Sequence, residues 1–354
     1  MTQITHNLPL VSVIMPIRNE AGFIERSLGA VLAQDYPPDR LEVLVVDGMS
    51  DDTTREIVQR TISQGKRLAD DNPISNSQRR ATVSLLDNPS RIVPPAFNIG
   101  LRHAQGQIIV RVDGHCEVSP DYVRRCVQLL QETGADNVGG LQRAVGEGWI
   151  GQAIALATSS PFGVGNARFH YAKEPGWVDT VYLGAYRREV FERIGGFDEE
   201  MVRNQDGEFN FRLIQAGGKI WLDPSIRSIY YGRASLRGLR RQYFQYGFYR
   251  MRTIQKRGAV PAWRQLVPAV FVFVLLGSLL LALLTGQPLW MLSVAGPYAV
   301  ANGLASLWTA RRDWQVLPLS PLIFLTLHLA YGAGFIWGMW YWTRKQAAPV
   351  KARL

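Results

Sequence analysis

Two aspartates and a histidine stand at positions of this 354-residue chain where metal-binding side chains often occur. Asp113 ends the apolar stretch "IIVRVD", His115 follows two residues later, and Asp47 ends a second apolar stretch, "LEVLVVD". A single aspartate at the end of a strand predicts a turn or a helix cap. Two at equivalent strand ends indicate a nucleotide-diphosphate site, because Mg²⁺ and Mn²⁺ bind carboxylate and phosphate oxygens.

His115 has two interpretations. Neutral imidazole is a common metal ligand, and Mn²⁺ accepts it more readily than Mg²⁺ does. The alternative is a loop histidine that is held only by hydrogen bonds. We predict that Asp113 and His115 are metal ligands and that the cofactor is Mg²⁺ or Mn²⁺.

A third aspartate, Asp206, lies in "RNQDGEFNFRLIQAGG", which predicts a helix that ends at a pair of glycines, Gly217 and Gly218. At the amino end of a helix, an aspartate can be a cap or a dipole carboxylate, worth about 0.3–2 kcal/mol. The same helix dipole would keep the carboxylate ionised, as a general base requires. Glu208 and Arg212 are four residues apart, a spacing that predicts a salt bridge on one helix face.

The elements around these residues alternate between strand and helix over the first 230 residues. Short apolar, β-branched runs predict strands, and apolar residues at helical spacing predict helices. Such alternation is typical of an α/β fold with a parallel, doubly wound sheet, which binds ligands at the carboxyl ends of its strands. The predicted strands are 11–17, 41–47, 83–87 and 107–113, the predicted helices include 23–34 and 53–62, and 64–80 is predicted as a loop.

The charge of +10 is compatible with a nucleic acid, an anionic membrane or a phosphorylated substrate as partner. No P-loop and no G-x-G-x-x-G pattern is present, which argues against ATP hydrolysis and dinucleotide binding. The two cysteines fit no zinc or redox spacing and are interpreted as reduced thiols. The amino terminus lacks the pattern of a signal peptide.

The carboxyl-terminal third is typical of a membrane region. Three stretches, 266–284, 288–308 and 319–342, are free of Asp, Glu, Lys and Arg and long enough to cross a bilayer as helices. The alternative is a buried helical core, which three such stretches in a row make less probable. Nine basic residues and no acid lie in 233–264, which predicts that the preceding region faces the cytoplasm. The basic tail, 344–354, would then face outwards after three crossings, unless one stretch is re-entrant.

Basic and aromatic residues are mixed in "RGLRRQYFQYGFYRMR", residues 237–252. Nucleic acid and a membrane interface both suit such a surface. Because this stretch directly precedes a predicted span, we interpret 233–264 as an interfacial segment and expect no nucleic-acid partner.

Several ordered motifs resemble those of the family 2 glycosyltransferases, which have the GT-A fold. The first 50 residues resemble the family's amino-terminal region, and "VRVDGH" stands where the family has Asp-x-Asp. "RNQDGEFNFRL" resembles the catalytic-base region. Together with "NPSRIVPPAFNIG", "SSPFGVGNARF" and "VDTVYLGAYRR", these motifs are similar to those of bacterial succinoglycan-type glucosyltransferases. The resemblance covers about residues 10–255.

The resemblance implies roles for individual residues. It makes Asp206 the catalytic base, with Glu208 and Arg212 as its supporting acidic and basic residues. The acceptor site is bordered by Gly184 and Arg187. The family often has Asp-Asp where this chain has Asp47 and a glycine, so only one carboxylate is carried over. The positions implied for nucleotide-sugar binding are Pro16, Arg18, Asn19, Glu20, Asp47 and Asp113.

The resemblance also implies the reaction, which is the inverting transfer of a hexose, expected to be glucose, from a UDP-sugar. The expected acceptor is a lipid-linked saccharide of the polyprenyl diphosphate type in extracellular polysaccharide synthesis. The alternatives are transfer onto polyprenyl phosphate and a non-catalytic membrane scaffold. The predicted domains are a GT-A catalytic domain at 1–232, the interfacial segment, and a transmembrane region at 265–343. The expected location is the bacterial inner membrane, as a multi-pass protein with its catalytic domain in the cytoplasm.

Overall fold

The structure is a computed structural model that describes residues 8–70, 81–165, 167–260 and 262–347. It divides into two compact units. The sheet unit comprises Met1–Arg143 and Tyr171–Tyr230, and the helical unit comprises Ala144–His170 and Tyr231–Leu354. The predicted catalytic domain of 1–232 therefore differs from the sheet unit, because 144–170 belongs to the helical unit.

The sheet unit is built on a mixed sheet with helices on both faces. Along the sheet the strand order is β3-β2-β1-β4-β8-β6-β9-β5, with β7 paired to β9. The strands are β1 (Val11–Ile17), β2 (Leu41–Asp47), β3 (Thr82–Asp87), β4 (Ile108–Arg111), β5 (Cys116–Val118), β6 (Asn137–Val145), β7 (Gly176–Trp177), β8 (Tyr182–Arg187) and β9 (Ile220–Tyr231). The helices of this unit are α1 (Ile24–Leu32), α2 (Thr54–Asp70), α3 (Val93–His103), α4 (Tyr122–Thr133), α7 (Arg188–Ile194) and α8 (Gln205–Gln215).

Strands β3, β2, β1 and β4 are parallel, as the alternation of strands and helices predicts. The remaining part is antiparallel, since β8 runs against both β4 and β6. The prediction of a parallel sheet is thus correct for one half only. Hydrophobic periodicity reports burial, and a buried strand has the same pattern in either direction.

Both faces of the parallel strands are buried. Every residue of β1 is buried, as is typical of a strand covered on both sides. On one face, Leu28 of α1 and Val127 of α4 join the same apolar cluster as β1. On the other face α3 packs closely, because a Cβ added at Gly100 would lie 2.5 Å from Ile14 Cγ2.

Two predicted boundaries are wrong. The strand predicted at 107–113 is shorter, so that Asp113 lies in the turn that follows β4. The predicted loop at 64–80 begins instead as helix, because α2 continues to Asp70. Its polar composition suits an exposed helix as well as a loop. The rest of that predicted loop, 71–80, lies outside the described residues.

The helical unit contains α5 (Gly148–Thr158), α6 (Pro161–Val164), α9 (Leu236–Arg257), α10 (Val267–Thr285), α11 (Leu289–Ala310) and α12 (Ser320–Ala347). Helices α9 and α12 approach closely along their length because glycines line their contact. A Cβ added at Gly247 would lie 2.0 Å from the Tyr331 carbonyl oxygen, and one at Gly334 would lie 2.0 Å from that of Phe244. The predicted interfacial segment is therefore largely one helix that packs on α12.

Among the described residues, two helices are long and apolar enough to cross a membrane, Trp263–Thr285 and Ser320–Arg344. The first exposes large apolar side chains, with Phe273 68% and Leu283 73% exposed. Such a surface calls for lipid or a partner rather than water. Helix α11, with 22 residues, is not one of these two helices, so the third predicted span stays a prediction.

Candidate active site

The turns after β1 and β2 are joined by a set of short hydrogen bonds. The backbone N–H of Asn19 donates to Ser50 Oγ at 2.9 Å, and its amide Nδ2 donates to Asp51 Oδ1 at 2.6 Å. Asp51 N–H donates back to Asn19 Oδ1 at 3.1 Å. Asn19 adopts a left-handed conformation, with φ of 55°, which asparagine tolerates better than most residues. Asn19, although exposed, therefore fixes the shape of this edge by joining the two loops.

Asp47 lies at the predicted strand end, level with Ile17 of β1 and Asp87 of β3. Its side chain is only 1% exposed and accepts hydrogen bonds from Ser50 Oγ at 2.6 Å and from Arg55 Nη1 at 3.2 Å. In this conformation Asp47 has no surface to offer a nucleotide, which argues against the predicted direct contact. Asp87 is exposed and also pairs with the Arg55 guanidinium, at 2.6 Å. It was not among the residues predicted from the sequence.

The other residues of the first loop divide into buried and accessible groups. Pro16 is buried inside β1 beside Val46, so its contribution is to the sheet. Arg18 is exposed, with its guanidinium 3.4 Å from the Arg91 carbonyl oxygen. Of these two predicted nucleotide-binding residues, only Arg18 is placed to meet a ligand.

Asp113 is held by an arginine two residues earlier in the chain. Arg111 Nε and Nη2 donate to the two carboxylate oxygens of Asp113, at 2.8 and 3.2 Å. Both side chains are largely buried, at 7% and 14% exposed. A paired, bidentate contact of this kind fixes the orientation of the carboxylate.

His115 is oriented by a carboxylate from the first loop. Its Nδ1 lies 2.8 Å from Glu20 Oε1, and its ring contacts the edge of Tyr230 at 5.3 Å between centroids. The turn comes this close to β1 because residue 114 is glycine, where a Cβ would lie 2.9 Å from Ile17 Cγ2. The structure thus brings the predicted nucleotide-binding residue Glu20 and the predicted metal ligand His115 together.

The donor set fits a divalent cation that binds a diphosphate. Each carboxylate oxygen of Asp113 accepts one bond from Arg111 and retains a further lone pair. A carboxylate that orients the imidazole, as Glu20 does for His115, is the usual partner of a metal-ligating histidine. No group of three or more His, Cys, Asp and Glu side chains gathers within the described ranges. The protein can therefore supply about two ligands, the number typical where substrate phosphates and water complete the coordination.

Asp206 lies in the first turn of α8, as predicted, but it is not the cap residue. The helix begins after Asn204, which has a left-handed conformation, and Asp206 Oδ1 accepts a hydrogen bond from Gly207 N–H at 2.8 Å. Its carboxylate is half-buried.

Glu208 and Arg212 form the predicted salt bridge, with distances of 2.7 Å from Nε to Oε1 and 3.1 Å from Nη2 to Oε2. Glu208 is fully buried. The Arg212 guanidinium also donates to the carbonyl oxygens of Ile194 and Gly196, at 2.5 and 2.7 Å. Arg212 therefore fastens the helix of Asp206 to the turn after α7.

The residue that joins the two halves of the site is Arg111, which sequence reasoning missed. Burial lowers the pKa of its guanidinium, but the charges of Asp113 and Asp206 outweigh this effect and raise the pKa above its usual range. One buried cation thus interacts with both predicted functional carboxylates. The available signal was an arginine inside an apolar strand, since arginine is rarely buried without a partner.

The two predicted acceptor residues have structural roles. A Cβ at Gly184 would lie 2.4 Å from the Tyr186 ring, so this glycine makes room for a buried aromatic side chain. Arg187 donates to the Ala135 carbonyl oxygen at 3.0 Å and also to that of Leu130, near the end of α4. Arg187 pairs with Ile108, at the opposite end of β4 from Asp113, because β8 is antiparallel. In this conformation Arg187 has a structural role, and its acceptor role stays a prediction.

Comparison with known proteins identifies the family. The family Glycosyl transferase family 2 matches residues 12–195. The chain belongs to this family. It is therefore a glycosyltransferase, and its mixed sheet is the GT-A fold that the motifs implied.

Individual relatives agree with this assignment. A succinoglycan biosynthesis protein, ExoA, of Rhizobium meliloti is 33% identical over 91% of this chain and 93% of that protein. A dolichyl N-acetyl-α-D-glucosaminyl phosphate 3-β-D-2,3-diacetamido-2,3-dideoxy-β-D-glucuronosyltransferase of Methanococcus voltae is 29% identical over 77% of this chain and 82% of that protein. The mannosyltransferase of Pyrobaculum calidifontis, solved in complex with GDP-Man and Mn²⁺, has a TM-score of 0.59 and 21% identity, and covers 95% of this chain and 89% of that one.

Proposed function

We propose that this glycosyltransferase transfers a hexose from a UDP-sugar to a lipid-linked saccharide, with inversion at the anomeric carbon. It acts in polysaccharide or glycan biosynthesis, and the proposed pathway is that of an extracellular polysaccharide. The names of its relatives, one a succinoglycan protein and one a transferase for a dolichyl phosphate-linked sugar, support this class of acceptor. The observation that carries the proposal is the buried Arg111, which donates two hydrogen bonds to Asp113 and whose pKa is also raised by the charge of Asp206.

In the proposed reaction an acceptor hydroxyl attacks the anomeric carbon from the face opposite the departing nucleotide. The new carbon–oxygen bond forms as the bond to the diphosphate breaks, and the bond's electrons leave with UDP. Asp206, in the first turn of α8, takes the proton of the hydroxyl as the general base. Arg212 and Glu208 hold the helix of Asp206 in position.

The leaving diphosphate needs charge neutralisation rather than a proton. Asp113 and His115 would hold Mg²⁺ or Mn²⁺, which supplies that positive charge when bound. Arg111 keeps the Asp113 carboxylate oriented, and Glu20 keeps the His115 ring oriented. Arg18, at the exposed edge of the same loop, is suited to contact the nucleotide.

The proposed location is the bacterial inner membrane, with the catalytic region in the cytoplasm. Two candidate membrane helices support membrane association. The basic residues of 233–264 precede the first of them and support the cytoplasmic orientation, since such residues stay on that side.

The decisive test is the Asp206→Asn variant, assayed in purified membranes with a panel of UDP- and GDP-sugars. Loss of the base should lower kcat by about 10²- to 10⁴-fold and leave donor binding unchanged. The matched control is Asp198→Asn, which alters another half-buried carboxylate, in the turn after α7. Undiminished turnover in Asp206→Asn would overturn the base assignment. Polyprenyl phosphate and a polyprenyl diphosphate sugar, offered separately as acceptors, distinguish the two possible acceptor classes.

A further inference from the structure

The helical unit contains a half-buried cation that the proposed chemistry does not use. Arg250 lies on α9, and its Nε and Nη1 atoms are buried with no hydrogen-bond partner. Both are donors on a permanently charged group. Charged donors are rarely buried unpaired, because removal from water without a partner costs several kcal/mol.

Two neighbours show what the site would accept. The Tyr331 phenol, on α12, interacts with the Arg250 side chain and with the charge of Arg264. Arg264 lies in the 3₁₀ turn Trp263–Gln265, directly before α10. A phenol that is hydrogen-bonded to one guanidinium group and feels the charge of a second suits an anion with several oxygen atoms.

The chain itself supplies almost no negative charge here. From Arg233 to the end, the sequence has fifteen lysines and arginines and one acid, Asp313. That carboxylate accepts a hydrogen bond from Gln315 N–H at 3.0 Å, far along the chain at the turn before α12. The other acid of the helical unit, Glu147, is exposed. Within the described part of the helical unit neither acid is shown to contact Arg250, which favours an anion from outside the protein.

The surroundings indicate a lipid source for this anion. Arg264 and Tyr331 both lie on the helices that are long and apolar enough to cross a membrane. Further along α9 and α12, arginines stack on tryptophans as at a headgroup layer, with Arg252 4.7 Å from the Trp342 ring and Arg344 4.2 Å from that of Trp340. Phosphate is the anion of that layer, and guanidinium groups bind it through paired hydrogen bonds.

We propose that Arg250, with Arg264 and Tyr331, binds the phosphate of the lipid-linked acceptor. This inference rests on the proposed function for the identity of the lipid. An anionic phospholipid headgroup also carries a phosphate on a membrane lipid. The chemistry of the site therefore fits both ligands. A binding experiment can separate these two sources.

The experiment uses the full-length chain in detergent and measures binding of polyprenyl diphosphate and, separately, of phosphatidylglycerol. Arg250→Gln should weaken binding of polyprenyl diphosphate by about tenfold to a hundredfold, the effect of losing charge-assisted hydrogen bonds. The matched control is Arg240→Gln, which removes the same charge from an exposed position of α9. The control should change this binding by less than about threefold, because exposed charges interact weakly.

Three results would overturn the proposal. These are unchanged binding in Arg250→Gln, an equal loss in Arg240→Gln, and an equal loss of phosphatidylglycerol binding, which would identify a general headgroup site. Should Arg250→Gln fail to fold, Tyr331→Phe replaces it, with an expected loss of about threefold to tenfold from one hydrogen bond. Binding is measured without turnover, and UDP binding is recorded in parallel. A wrong donor or reaction would therefore appear in the UDP and turnover assays and leave this result intact.

Discussion

Each unit of the molecule contains an arginine with buried guanidinium atoms, and the two arginines differ in their partners. In the sheet unit Arg111 has the Asp113 carboxylate as a bidentate partner and Asp206 as a second negative charge. In the helical unit Arg250 has two buried donor atoms without a partner. Carboxylates of the protein neutralise Arg111, whereas an anion from outside the protein would neutralise Arg250.

This difference in partners makes Arg111 a positioning residue and Arg250 the proposed ligand-binding residue. Arg111 fixes the carboxylates before any substrate arrives, so its contribution is present in the free protein. Arg250 costs free energy in the free protein and recovers it on binding, as functional sites often do. Burial and charge alone therefore do not reveal what an arginine does, and its partners decide.

The largest effect that tests this comparison is expected from Arg111→Met. It leaves Asp113 and Asp206 without their cation and should destabilise the sheet unit by about 3–5 kcal/mol. The equivalent Arg250→Met variant removes an unpartnered charge and should leave the lipid-free protein equally or more stable. Thermal unfolding of the full chain in detergent measures both changes.

The control for this pair is Arg124→Met. Arg124 forms an exposed ion pair with Asp35 at 2.9 Å, and such pairs contribute about 0–1 kcal/mol. If Arg111→Met were no more destabilising than the control, the buried Arg111–Asp113 pair would add nothing to the unfolding free energy. The comparison of Arg111 with Arg250 would then be wrong.

The sequence was sufficient for the positions of the main functional carboxylates. Asp113 and Asp206 were located because strand ends and helix starts are readable from local pattern. The Glu208–Arg212 bridge was readable too, since residues four apart share a helix face.

Other features depend on strand direction and could not be read locally. Arg187 is directed to helix carbonyls because β8 is antiparallel, and Asp47 is buried because Ser50 and Arg55 fold over it. The unpartnered state of Arg250 depends on how α9 meets α12. The sequence of a segment shows that it is basic and aromatic. Only the packing of the helices shows which of its basic groups is enclosed.

A smaller effect is expected from His115→Ala, which tests whether the pairing in the sheet unit serves a metal. If His115 is a ligand oriented by Glu20, the Mn²⁺ concentration that restores half of the activity after EDTA treatment should rise by about tenfold to a hundredfold. His103→Ala is the control, because that histidine is exposed on α3. Unchanged activity and unchanged metal dependence would leave His115 as a hydrogen-bonded loop residue.

The smallest effect concerns His170, the counterpart of His115 in the helical unit. Its Nδ1 is buried without a hydrogen-bond partner, and burial lowers the pKa of the ring to about 3. The unfolded chain, with a pKa near 6.5, then binds the proton more readily than the folded one between these values. Stability should therefore be complete above pH 6.5 and fall by about 1 kcal/mol for each pH unit below it.

The His170→Gln variant retains a polar side chain of similar reach without a titrating group. Its unfolding free energy should depend less steeply on pH between 6.5 and 4.5 than that of the unaltered chain, while His103→Gln, at an exposed position, should leave the slope unchanged. Equal slopes in the unaltered chain and His170→Gln would mean that the folded protein accommodates the charged ring. The difference in hydrogen bonding between His115 and His170 would then have no effect on the unfolding free energy. The comparison of the two units would rest on the arginines alone.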